Sequence, residues 1–198
     1  MVTLGLTDTP ETKAIWPHAF SLSLVITVGD SLNLELITRN TDAHPFSITQ
    51  ALHTYFKVGH IDQVSVLGLE GLEYIDKADN AVHRHQAGAV TISAEVDRIY
   101  RKVESELVID DVALDRRIRI TSKGSHTAVV WNPWAKISAE MGDLKDDDYE
   151  RLLCVETANA DLDVVRIAPG GEFCLAANYR IERDFTHVLN GQSANRHG

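Results

Sequence analysis

Alternation with a period of two runs through most of this chain, and it points to antiparallel sheet. Phe20-Ser21-Leu22-Ser23-Leu24 and Leu32-Asn33-Leu34-Glu35-Leu36 each put apolar side chains on one face and mostly polar ones on the other, the signature of a half-buried strand. Gly29-Asp30-Ser31 lies between them as a turn signal, so the pair predicts a hairpin. Further strands are expected at VSVLG from Val64, AVTISAEV from Ala89, ESELVID from Glu104, RRIRIT from Arg116 and TAVVW from Thr127. LLCVE from Leu152, VVRIA from Val164 and EFCLAANYRIE from Glu172 complete the set. Clusters of Asn, Asp, Gly and Pro separate these runs at short intervals, as an all-β sandwich requires. Helical periodicity is scarce: a single turn inside GDLKDDDYERL is the best candidate, and its acidic run reads more simply as a solvated loop.

The chain has 198 residues, enough for one sizeable core. No internal repeat or linker divides it, so residues 1–189 are read as one antiparallel β-sandwich domain and residues 190–198 as a disordered tail. A formal charge of −10 with no cluster of Lys and Arg argues against nucleic acid as a partner. No stretch reaches the roughly 18 apolar residues of a membrane span and no leader pattern opens the chain. A cytoplasmic protein is expected. Cys154 and Cys174 both lie in apolar strand-like runs and are read as reduced, buried thiols.

Several short patterns carry less than they suggest. His83-Arg84-His85 has no matching Cys or His cluster, and a metal site needs three or four converging ligands. Gly170-Gly171-Glu172-Phe173 follows Ala-Pro and precedes an alternating run, which reads as a tight turn. There is no glycine-rich phosphate loop and no nucleophile elbow.

Polar residues at strand ends remain. His53, within Ala51-Leu52-His53-Thr54-Tyr55-Phe56, is either a core histidine with a satisfied ring or a proton donor at the floor of a pocket. Glu156 ends the apolar run Leu152-Leu153-Cys154-Val155. A carboxylate there costs free energy unless it is hydrogen-bonded or protonated, so its pKa depends on its surroundings, as a general base requires. Asp97 interrupts Ala94-Glu95-Val96 and Arg98-Ile99-Tyr100, and Trp131-Asn132-Pro133-Trp134 sets two indoles beside a proline bend.

The stretches ETKAIWPHAFSL, ALHTYF, VSVLGLEGLEYIDK, EVDRIY, VVWNPW, CVETA and IAPGGEF occur in that order. With them the chain resembles the aldose 1-epimerase (galactose mutarotase-like) superfamily. It is most similar to the hexose-6-phosphate mutarotase branch, the glucose-6-phosphate 1-epimerases. The resemblance covers most of the chain, and ALHTYF and VVWNPW are its most specific parts. It implies a β-supersandwich with a cleft on its concave face, and interconversion of the α and β anomers of a hexose 6-phosphate without cofactor or metal. It also implies roles: His53 as general acid towards the ring oxygen, Glu156 as general base on the C1 hydroxyl, and Asp97 orienting sugar hydroxyls. Gln50 is a further substrate-binding candidate. Trp131 and Trp134 either stack on the pyranose or pack beside the bend.

Members of that family usually extend further at the N-terminus, where they carry part of the sandwich, a further pocket histidine and phosphate-gripping arginines. This sequence opens close to ETKAIWPHAF, read as a strand. The expectation is therefore an N-terminally shortened sandwich whose open sheet edge would serve a homodimer. Arg84, Arg98 and Arg101 are alternatives for holding a phosphate, or simply balance surface charge. A non-catalytic carbohydrate-binding or interaction module on the same fold is the competing function.

Overall fold

A computed structural model describes residues 1–183. Strands are numbered in chain order. The first sheet has eight strands, in the spatial order β1 (Val2–Thr7), β2 (Phe20–Val28), β3 (Leu32–Asn40), β17 (Glu172–Glu182), β13 (Arg116–Lys123), β12 (Leu107–Asp111), β7 (Val64–Leu67) and β10 (Val90–Thr91). The second has the order β5 (Gln50–Leu52), β15 (Leu152–Asn159), β14 (Thr127–Asn132), β11 (Val96–Arg101), β8 (Glu73–Asp76) and β9 (Val82–His85), with β6 (Tyr55–Lys57) also paired to β15. A small third sheet joins β16 (Val165–Ile167) to β4 (Phe46–Ile48). Every pairing is antiparallel. The all-β sandwich read from the alternation is the fold observed.

Apolar residues one position apart from the polar ones meet between the two large sheets. Val66, Ile109, Ile120 and Leu175 from the first sheet join Val130, Tyr100, Leu153 and Val155 from the second in one buried cluster. Removing such surface from water supplies the main driving force for the fold. A smaller cluster of Phe20, Phe46, Val165 and Ile167 holds the third sheet, with the Trp16 ring 4.9 Å from that of Phe46. The β2–β3 hairpin turns at Gly29, whose N–H donates to the Ser31 carbonyl at 3.0 Å, and its register sets Leu24 beside Leu36.

Several local expectations are corrected. ETKAIWPHAF is not a strand: Pro10–Ile15 forms helix α1. Pro10 opens it, and Thr9 and Thr12 cap it reciprocally through their hydroxyls at 2.8 and 3.3 Å. AVTISAEV is divided between β10 in the first sheet and β11 in the second. A second helix, α2 (Trp134–Glu140), follows Pro133, and GDLKDDDYERL, read as a solvated loop, holds a 3-10 turn at Asp148–Arg151. Cys154 is free and buried, but Cys174 is free and exposed. Strand alternation turns Cys174 away from the side that buries Leu175. The expected tail, residues 190–198, lies outside the described residues, as do the last positions of the expected domain.

Among the described glycines, Gly124 has the least room for a side chain. Its φ is +73°, and a Cβ there would stand 2.3 Å from the Cys174 carbonyl oxygen. Gly124→Ala is therefore expected to lower stability by about 2 kcal/mol or more, read as a fall in urea midpoint. Gly29→Ala, with nothing within 4 Å of the added carbon, is the control and should leave the midpoint nearly unchanged.

Candidate active site

Strand register builds the site. On β15, Thr157 pairs with Leu52 and Cys154 with Tyr55. The same register carried across the break between β5 and β6 sets His53 opposite Glu156. The two side chains meet: His53 Nε2 lies 3.1 Å from Glu156 Oε1. Three residues along, Gln50 pairs with Asn159, and its amide nitrogen donates to Asn159 Oδ1 at 3.0 Å.

The register continues through the sheet. Glu156 pairs with Val129 on β14, Val129 with Ile99 on β11, and Ile99 with Ile75 on β8. Two residues along, Tyr55, Cys154, Trp131 and Asp97 form the adjoining row. Side chains two apart share a face, so both rows look out from the side of the second sheet opposite the buried cluster. Intervening residues such as Val130, Val155 and Tyr100 face inward and belong to that cluster.

These rows floor a cavity of about 420 Å³ lined by Gln50, His53, Lys77, Asp97, Trp131 and Glu156, with Asn159 and Asp161 at one side. The size suits a monosaccharide. The His53 ring stacks on Tyr55, with centroids 4.8 Å apart and planes inclined by 21°. Trp131 presents an edge-on contact to both, at 5.8 and 6.1 Å. His53 is half exposed, whereas the Glu156 side chain is 6% exposed.

Burial is the main reason that the Glu156 pKa rises from the ordinary 4.5 to about 7. The Asp97 charge adds to the rise, and the Lys77 ammonium opposes it. The carboxyl is thus poised between its two protonation states near neutrality, in direct contact with an imidazole. Such a pair can take a proton from one oxygen and give another to a second. Among the described residues no group of three or more His, Cys, Asp and Glu side chains is arranged to hold a metal ion. His83 contacts Glu73 at 2.6 Å on the exposed strand β9.

Of the expected site residues, His53, Glu156, Asp97, Trp131 and Gln50 come together. Trp134 does not. Its backbone N–H donates to Asn132 Oδ1 at 2.9 Å at the start of α2, and its ring packs 5.1 Å from that of Tyr149, against the buried cluster. The chain bends at Pro133 and breaks the alternation that keeps Trp131 on the cavity side. Arg84, Arg98 and Arg101 are also outside the lining. Arg101 Nε donates to Asp161 at 2.8 Å, and one Nη contacts Glu73 at 3.2 Å. Arg98 lies over the Tyr74 ring at 4.9 Å, and Arg84 pairs with Asp79.

Lys77, Asn159 and Asp161 are cavity residues that sequence reasoning missed. Asn159 gave no alternation signal, because it is three residues from Glu156 on β15, a spacing that turns side chains to opposite faces. Lys77 gave none either, since it stands in the 3-10 turn that follows β8, beyond the reach of strand alternation.

Residues 1–180 match the family model described as aldose 1-epimerase. A Cenchrus ciliaris protein provisionally named glucose-6-phosphate 1-epimerase is 39% identical over 178 residues, covering 87% of this chain and 54% of that protein. An Escherichia coli K12 protein given the same provisional name is 40% identical over 160 residues, covering 80% and 53%. The solved structure of a Salmonella typhimurium protein provisionally named a mutarotase superposes with a TM-score of 0.85 at 33% identity, over 92% of this chain and 60% of that one. The chain spans about half the length of the curated relatives it matches.

The raised carboxyl has a measurable consequence for stability. Between pH 4.5 and 7 the folded chain holds a proton on Glu156 that the unfolded chain has released, so this group's contribution falls as pH rises. Glu156→Gln should therefore gain stability relative to the parent from pH 5 to pH 8. The expected gain is on the order of 2 kcal/mol once solvent screening is allowed for. Urea melts at both pH values check the sign, and a gain that shrinks with rising pH would contradict it.

Proposed function

The chain belongs to the aldose 1-epimerase family, and on that premise we propose that it interconverts the α and β anomers of a hexose 6-phosphate, glucose 6-phosphate first among them. The names of its relatives support the substrate. One observation carries the chemistry: His53 Nε2 and Glu156 Oε1 are 3.1 Å apart at the floor of an open cavity.

Mutarotation needs an acid and a base converging on a single carbon, because O1 and the ring oxygen O5 are both bonded to C1. In the forward step ionised Glu156 takes the proton from the C1 hydroxyl. The C1–O5 bond breaks as C1=O forms, and the His53 imidazolium gives its proton to O5. Rotation about C1–C2 then presents the other carbonyl face. On closure His53 takes the proton back from the C5 hydroxyl, O5 attacks C1, and Glu156 returns a proton to O1. Both residues finish as they began, so the cycle requires no oxidant, covalent intermediate or metal.

The remaining lining has compatible tasks in this reading. Trp131 offers an apolar face to the C–H side of the pyranose, and Val129 and Ile99 floor the cavity between the polar groups. Asp97 accepts from sugar hydroxyls, with Gln50 at the opposite rim.

Anomer exchange on fresh α-glucose 6-phosphate, followed by NMR or polarimetry, tests the proposal. Acceleration by the parent protein is expected, with kcat/KM reduced about 10²–10⁴-fold in His53→Ala and in Glu156→Gln. Because ionised Glu156 is the base, kcat/KM should rise with pH through an acid limb near 7. Glu156→Gln should abolish that limb. No acceleration at micromolar protein would instead favour a sugar-binding module without catalysis.

A further inference from the structure

Lys77 is a charged cavity residue to which ring opening gives no task. It stands at the start of a 3-10 turn, Lys77–Asp79, directly after β8. Ile75 pairs with Ile99 and Asp76 with Arg98. Carried one residue further, that register sets Lys77 opposite Asp97. Its Nζ lies 3.3 Å from Asp97 Oδ2, with the two side chains 52% and 24% exposed. An ion pair so open to water adds little stability, so stability alone does not account for its place in the cavity wall.

We propose that Lys77 and Asp97 together clamp two neighbouring sugar hydroxyls, those on the pyranose edge opposite the anomeric carbon, and thereby select the hexose configuration the cavity accepts. The proposal rests on the mutarotase reading only for the orientation of the sugar. Glu156 on β15 and Asp97 on β11 are separated by β14, a span of about 10 Å across the sheet. A pyranose with O1 at Glu156 bridges that span and turns its 3- and 4-hydroxyls towards Asp97 and Lys77.

The chemistry of the pair matches that of a vicinal diol. Each hydroxyl carries one proton to donate and lone pairs to accept with. The carboxylate only accepts and the ammonium only donates, and charge strengthens both kinds of hydrogen bond. Asp97 occupies one of the three Lys77 donors, leaving two for a ligand. Nearby guanidinium groups are engaged elsewhere, Arg101 with Asp161 and Glu73, and Arg84 with Asp79. An epimer with one of the two hydroxyls inverted would leave half of the clamp without a partner, which costs more than the bond itself contributes.

Calorimetric titration with methyl β-glucopyranoside 6-phosphate tests the clamp without turnover, because the locked acetal cannot open. Lys77→Met should bind this ligand at least about tenfold more weakly than the parent, and Lys77→Arg should recover part of the loss. The 3-deoxy and 4-deoxy analogues should bind the parent weakly, and at least one should no longer distinguish parent from Lys77→Met. Equal affinity of parent and Lys77→Met would overturn the proposal. So would an identical loss for the full and both deoxy ligands, or no binding by the parent. A parent that binds as expected yet fails to accelerate anomer exchange would remove the mutarotase reading and leave the clamp standing.

Discussion

The antiparallel register of β15 against β5 and β6 is the constraint on which the rest of the site depends. Leu52 beside Thr157 and Tyr55 beside Cys154 leave one place for His53, and that place faces Glu156. Residues more than a hundred positions apart thus meet because the ladders on either side of the β5–β6 break fix where His53 falls. A slip of one residue would turn every side chain on one strand to the other face. It would drive Leu52 and Phe56, now buried, into the cavity and His53 into the apolar cluster. The energetics of the core and the geometry of the site are therefore fixed by the same pairing.

Hydrogen bonds on the inner side of the sheet hold both positions from behind. Thr54, next to His53, shares a 2.7 Å hydrogen bond with the Tyr179 hydroxyl on β17. Thr157, next to Glu156, shares one of 2.6 Å with Ser122 on β13. Each bond crosses from the second sheet to the first, within a largely apolar layer. A polar group buried there is costly when unpaired and specific when paired, so the two pins favour one relative placement of the sheets. Glu156 itself has the opposite character. Its ionised form is disfavoured by burial, and that desolvation, with the Asp97 charge, is what brings its proton affinity into the range where exchange with an imidazole is easy.

Most of the architecture was legible because alternation is a local signal. Phe20–Val28, Leu32–Asn40 and Glu172–Glu182 are strands where the pattern places them. The misses have equally local causes. Trp16 and Phe20 are apolar enough to suggest a strand before Phe20, but the Thr9 and Thr12 hydroxyls and Pro10 start a helix there instead. Ala89 to Val96 alternates like one strand, yet tertiary packing divides it between two sheets. For the site, His53 and Glu156 were recognised by their motifs, while their contact was not readable. Register between strands separated by a hundred residues is set by the whole sheet, and a single sequence does not display it.

Charge shows the same limit from another side. Arg98 follows Asp97 directly, and proximity in sequence suggests that both serve one ligand. Alternation separates them: Asp97 lines the cavity, whereas Arg98 turns to the other face and lies over Tyr74. Lys77, twenty positions earlier, is the cation that reaches Asp97, because the β8–β11 ladder brings it alongside. In a sheet, the neighbours that matter chemically are the residue two along and the residue across. Both the acid–base pair and the Lys77–Asp97 pair are of the second kind, which is why the motifs that carry His53 and Glu156 do not by themselves show the cavity that forms around them.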